Sequence, residues 1–231
     1  MNLEEHKRKY FQAFRPVVEE LRKKGFEINK ADFTHLQAKN GIVLPLEGIG
    51  IEQEADDLQY LKKKYNPLPP EVVELLVSWI PRIKYAPVQE VLIGQLSGTK
   101  VKYNGNVLLN VFKNTDDKFV RDRIGFVLSE TNPEIDLVEL ENLLLDPNYG
   151  DTKSSLILAG ARHLAPEKIN DIAMKELDSV SGFALRALRK TGGPKELELL
   201  RMKLEKGELD KKQKKEIEKT IDHIKKKLEN E

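Results

Sequence analysis

At 231 residues, with 39% apolar and 33% charged side chains, the chain is large enough for one elongated domain or for a repeat array with an N-terminal piece. Its 39 basic residues against 38 acidic ones leave a formal net charge of +1, whereas a general polyanion binder carries a basic excess, so nucleic acid is a disfavoured partner. There are no cysteines, which excludes disulfides, thiolate metal sites and cysteine nucleophiles together and fits a reducing compartment. Mean hydropathy is −0.50, and no apolar run approaches the roughly 20 residues needed to cross a bilayer. Met1-Asn2-Leu3-Glu4-Glu5-His6-Lys7-Arg8 has no apolar core after its basic residues, so it does not read as a signal peptide. No membrane association and a cytoplasmic location are expected.

Residues 3–24 place Tyr10, Phe11, Phe14, Val17, Val18 and Leu21 at spacings of three and four, which predicts an amphipathic helix stopped by Gly25. Pro16 would cost about 3 kcal/mol inside a continuous helix, so a break or kink is expected at residues 13–15. Asn29 is placed to cap a short helix over 30–39. Residues 41–51 mix glycines with β-branched side chains and predict a loop or short extended stretch. Gly48-Ile49-Gly50 lacks the third glycine and the βαβ setting of a dinucleotide fingerprint, so no cofactor is expected there. Residues 52–65 predict a polar helix carrying Ala55, Leu58 and Leu61. Asn66-Pro67-Leu68-Pro69-Pro70 then closes an irregular, mostly helical N-terminal segment, 1–66, with Pro70 suited to the first turn of the next helix.

From there a pattern repeats. Val88, Val120, Thr152 and Val180 each open a segment with an apolar or small residue four positions on and Leu or Gly eight on, at Leu96, Leu128, Gly160 and Leu188. These offsets share one helical face. From 88 to 120 and from 120 to 152 is 32 residues, and from 152 to 180 is 28, periods suited to stacked helix pairs. A second apolar-periodic segment precedes each copy, at 72–80, 107–112, 135–145 and 169–177, across a polar or Pro-bearing turn. One such pair cannot bury its apolar stripe alone, so the copies must stack. Residues 67–193 are therefore read as the array. In 194–231, Leu197, Leu200 and Leu204 keep one stripe, Gly207 breaks it, and 210–230 carries Ile217, Ile221, Ile224 and Leu228 on a Lys/Glu-rich helix, a pair suited to capping the array. Over 195–231, twelve Lys/Arg stand against ten Asp/Glu, so the lysine runs read as a solvated face of ion pairs.

A helix, a turn bearing Asp, and then Val-Arg opening a second helix resembles the HEAT-repeat pattern, carried best by Asp117-Lys118-Phe119-Val120-Arg121. Val77-Ser78-Trp79-Ile80-Pro81 and the stretches 146–150 and 177–188 look similar to bacterial HEAT-repeat proteins, largely of unassigned function. The resemblance spans about residues 67–205, with Thr152-Lys153 and Val180-Ser181 departing from Val-Arg. It implies an all-α fold: a right-handed α-solenoid of about four to five HEAT-like pairs.

Chemistry is harder to find. His6, His35, His163 and His223 are scattered without metal-ligand spacing, and no phosphate loop or nucleophile elbow occurs. Asp116-Asp117 and Asp56-Asp57 are explained as caps and dipole complements. No metal, cofactor or catalytic group is assigned. The candidate binding residues are basic ones on the second helices, Arg121, Arg123, Lys153, Arg162, Arg186 and Arg189, which would line the concave groove where such arrays bind partners. A structural ladder from Arg121 to a neighbouring unit is the competing reading. The function expected is a non-enzymatic scaffold that takes an acidic protein segment, with a regulatory or immunity-type role. Two alternatives stand beside it: nucleic-acid binding resembling the alkylation-repair glycosylases, and an enzyme with its site near the 41–51 loop.

Overall fold

The computed structural model describes residues 3–28, 30–31, 55–56, 61–178, 181–205 and 209–230. Helix α1 (Leu3–Lys23) runs unbroken through Pro16, which corrects the break, one of the two outcomes expected at residues 13–15. The carbonyl that proline deprives of a partner is that of Gln12, four residues back. Gln12 is exposed, so water can serve it, while Tyr10, Phe14, Val17, Val18 and Leu21 are buried along the opposite side and hold both halves of the helix to the core. Gly25 ends the helix as predicted. Its φ is +86°, its N–H donates to Arg22 O, and the Phe26 N–H donates to Leu21 O, the two bonds of a Schellman cap.

Two further expectations for the N-terminal segment are corrected. Strand β1 (Lys30–Ala31) pairs antiparallel with β2 (Ala55–Asp56), Lys30 opposite Asp56 and Ala31 opposite Ala55. Lys30 and Ala31 therefore do not open a helix; of the helix read over 52–65, Ala55 and Asp56 stand in a strand and Leu61–Lys64 is helical (α2). Lys, Ala and Asp are poor strand formers; their pairing comes from a distant stretch of chain and leaves no local periodicity. The loop at 41–51 lies outside the described residues.

Beyond the proline cluster the fold is all-α, in five helix pairs: α3 (Pro70–Trp79) with α4 (Ala86–Gln95), α5 (Asn106–Asn114) with α6 (Lys118–Glu130), α7 (Leu137–Leu145) with α8 (Ser154–His163), α9 (Pro166–Lys175) with α10 (Ser181–Thr191), and α11 (Pro194–Glu205) with α12 (Lys211–Glu229). Local chemistry fixes the starts. Pro70 sits in the first turn of α3. The Asp117 carboxylate accepts from Val120 N at 3.0 Å, Asp136 caps α7, and Asp210 and Gln213 form a capping box on α12. Between α7 and α8 the chain makes a 3-10 turn over Pro147–Lys153.

The packing is layered. Each second helix lies against the next, in the order α4, α6, α8, α10, α12, and α1 packs on α3 and α4 at the N-terminal end. Helix α8 is enclosed on most sides, with every residue from Ser154 through Gly160 buried. The closest approach is at Gly125, where an added Cβ would stand 2.4 Å from the Ser155 carbonyl carbon; only glycine lets the two backbones meet there. One apolar core runs from Tyr10 in α1 to Ile224 in α12. No described helix is long and apolar enough to cross a membrane.

Candidate functional site

The residue after each of the first three repeat-opening positions has a common task. Gln89, Arg121 and Lys153 are all buried, and each reaches back to the end of the first helix of its own pair. The Gln89 amide donates to Ile80 O at 2.9 Å and Ile83 O at 3.0 Å. The Arg121 guanidinium donates to Phe112 O at 3.2 Å and to Thr152 Oγ1 of the next pair at 2.9 Å, lying between the rings of Phe112 and Tyr149 at 5.4 and 5.0 Å from their centroids. Asp116 stands 3.8 Å away. The Lys153 ammonium pairs with Glu176 at 2.9 Å and points to Asp146 O at 3.5 Å. Arg121 and Lys153, two of the six candidate binding residues, thus serve as internal plugs between pairs.

Three more are also engaged internally. Arg123 lies over Gly94 and pairs with Glu90 at 2.7 Å. Arg162 donates to Thr131 O at 2.7 Å. Arg189 donates to Thr220 Oγ1 at 3.0 Å and to Glu216 at 2.8 Å; bonds from Lys219 first and Arg189 second hold the Glu216 pKa down at about 2. Only Arg186 of the six is exposed and, among the described residues, without a hydrogen bond or ion pair.

Two lysines and a histidine N–H also close the C-terminal ends of second helices, where carbonyls are unpaired and the dipole is negative. Lys62 donates to Gly94 O and Ser97 O at the end of α4. His163 Nε2 donates to Leu128 O at 2.8 Å at the end of α6, and Lys227 to Lys190 O and Gly192 O at the end of α10. Burial depresses the His163 pKa below its ordinary value, the bond to Leu128 acting in the other direction. Much of the basic content of the second helices is therefore spent on holding the layer together.

What remains outward is aromatic. Phe119, Asp122, Phe126 and Glu130 share one face of α6 by their spacing. Phe119 is 71% exposed. The ring of Phe126 meets that of Phe183 from α10 at 5.7 Å between centroids, bridging across the intervening α8. On α10, Arg186 and Lys190 follow Phe183 at three and seven residues and both are exposed. Asp122, on the same face of α6, has its Oδ1 buried and without a hydrogen bond. Burial raises its pKa, against the opposing influence of Lys118 and Ser155. Sequence reasoning singled out the arginines and missed Phe126 and Phe183; the available signal was the seven-residue spacing from Phe119 to Phe126, which is also the spacing of core residues.

Trp79 is half-buried, its indole N–H donating to Glu20 of α1 at 2.6 Å, and it takes no part in this face. Among the described residues no three His, Asp or Glu side chains are grouped to hold a metal. No protein-family model matches this chain, and neither a curated protein nor a solved structure is significantly similar to it.

Proposed function

We propose that the five pairs form a right-handed HEAT-like α-solenoid whose second-helix face is a protein-docking surface for an acidic segment with apolar anchors. The solenoid reading is supported by the recurrence of one job at one register: Gln89, Arg121 and Lys153, spaced by 32 residues, all tie the second helix to the end of the first. The aromatic bridge from α6 to α10 supports this side as the concave one.

The observation that carries the docking assignment is the exposed Phe119 and the Phe126–Phe183 pair on the helices that carry Arg186, a cation without a hydrogen bond or ion pair among the described residues. Exposed aromatic and arginine side chains are what interface hot spots are made of. Lys118 and Lys190 add positive charge, while Asp122, on the same face of α6, has its ionised form disfavoured by burial. A carboxylate-bearing segment with a buried Leu or Phe complements that surface in both sign and shape. The role is that of a non-enzymatic scaffold in a regulatory or immunity-type pair.

Selection from a random peptide library on the immobilised full chain tests this. Enrichment of acidic, hydrophobic peptides that is lost in Arg186→Glu and in Phe119→Ser supports it. Enrichment of basic peptides, or none at all, sinks it. The nucleic-acid alternative uses the same face, since bases stack on exposed rings, and predicts a gel shift at low salt that collapses steeply as salt rises. The enzyme alternative at 41–51 lies outside the described residues.

A further inference from the structure

The sequence predicts a solvated face of ion pairs for the lysine runs of α12, yet few such pairs form. The helix holds eight lysines against four acids. Of the eight, only Lys219 is in an ion pair, with Glu216 at 2.8 Å, and Lys227 is used on the carbonyls that end α10. The other six have no hydrogen bond or ion pair among the described residues.

The way the helix is held decides where those lysines point. Glu216 and Thr220 meet Arg189 of α10, while Ile217, Ile221 and Ile224 are buried in the core. By helical periodicity the side opposite those isoleucines carries Lys212, Lys215, Lys219, His223 and Lys226, and all five are exposed. Their spacing by threes and fours makes one straight stripe, about 21 Å long at the helical rise. The acids fall elsewhere. Glu218, Asp222 and Glu229 lie on the adjoining face, none within ion-pair distance of a stripe lysine among the described residues, and Glu216 is shared between Lys219 and Arg189.

Like charges at those spacings repel one another, so the stripe is a standing positive potential on a chain of net charge +1, and it draws anions. Its chemistry narrows which ones. Lysine lacks the planar fork that grips phosphate with two bonds, and α12 has no Phe, Tyr or Trp for a base to stack on. The apolar residues of α12 face the core and not the lysines, so none is placed to enter a lipid layer. Carboxylates on one face of a helix, by contrast, recur at the same threes and fours.

We propose that the outer stripe of α12 binds an acidic helix of a partner protein, about four turns long, whose carboxylates pair with Lys212, Lys215, Lys219 and Lys226 along one side. Arg186 and Lys190, exposed on the neighbouring α10, continue the positive surface toward the aromatic face. The stripe itself needs no apolar anchor and stands or falls apart from the docking surface of α6 and α10.

The test is a fluorescence-anisotropy titration of the full chain into a labelled alanine-based helical peptide with glutamates at spacings of three and four on one face. The expected result is saturable binding that weakens roughly tenfold or more as salt rises from about 50 mM to 500 mM, and by a similar factor in Lys212→Glu/Lys215→Glu/Lys226→Glu. Should the reversed charges unfold α12, glutamine at the same three positions keeps the helix and should still weaken binding. Lys24→Glu/Lys100→Glu/Lys102→Glu makes the same change in net charge at exposed positions before α5 and should bind almost as tightly as the unaltered chain. Phe119→Ser should also retain the peptide, which separates this site from the aromatic face. Overturning results are the absence of saturable binding, equal affinity for a peptide of the same composition with glutamate at every second position, tighter binding of an oligothymidylate or of phosphatidylserine vesicles, or undiminished binding in a folded triple variant of the stripe.

Discussion

The two layers of helices are joined by different chemistry. Among first helices the ties are exposed ion pairs: Lys113 with Glu139 at 2.7 Å, Lys168 with Glu141 at 2.6 Å and Lys195 with Asp171 at 3.0 Å. Second helices share ion pairs too, Arg123 with Glu90 and Arg189 with Glu216, but they add donors on main-chain carbonyls, such as Arg121 on Phe112 O and His163 on Leu128 O, and a backbone contact at Gly125. Exposed pairs contribute little because water screens them and two long side chains must be ordered. A buried donor is different: once it is removed, the carbonyl it served is left without a partner. The stability of the array should therefore reside in the second-helix layer, with the first-helix layer setting alignment and solubility.

The sharpest way to break that comparison is Arg121→Ala. It removes bonds to Phe112 O and Thr152 and the stacking between two rings. A charged-group hydrogen bond and a desolvated cation–π contact each contribute on the order of 1.5–2 kcal/mol, so a loss of about 3 kcal/mol is expected in urea denaturation. An effect below about 1 kcal/mol would place Arg121 on the surface in function if not in position. Gly125→Ala should follow. The alanine gains about 1 kcal/mol of helix propensity, but its methyl meets the Ser155 main chain, and overpacking of that kind costs about 3 kcal/mol. A net loss of about 2 kcal/mol is expected, and a gain in the urea midpoint would show that α6 and α8 can part freely.

The same contrast separates what was legible in the sequence from what was not. Helix pairs and their limits were legible because apolar periodicity and local punctuation at Gly25, Pro70 and Asp117 act within a few residues. The fate of an arginine was not. Arg121 and Arg186 both stand on second helices, yet one is sealed between Phe112 and Tyr149 and the other is exposed, and that depends on which helix comes to lie alongside. The Phe126–Phe183 contact and the β1–β2 pairing are likewise unions of distant segments.

A smaller effect comes from acid, and it should also divide by layer. His163 holds the end of α6, and burial lowers its pKa below 6.5; His6, in α1, is shifted the same way by burial. With the neutral form favoured in the folded state, their contribution is complete above the unfolded value and is lost as pH falls from 6.5 toward the folded pKa. Stability should therefore decline as pH falls below about 6.5, and His163→Gln should flatten that slope because its amide can still donate to Leu128 O. A profile identical in His163→Gln would show that this histidine does not set the slope.

The smallest effect expected is the most telling for the other layer. Lys168 is 57% exposed and its partner Glu141 25%, so Lys168→Ala should shift stability by no more than about 0.5 kcal/mol, and that shift should shrink further in 1 M salt, where the screening length falls to about 3 Å. A loss above about 1 kcal/mol, insensitive to salt, would mean that the outer pairs act as a network rather than one by one. The first helices would then be structural partners equal to the second, and the comparison between layers would fail.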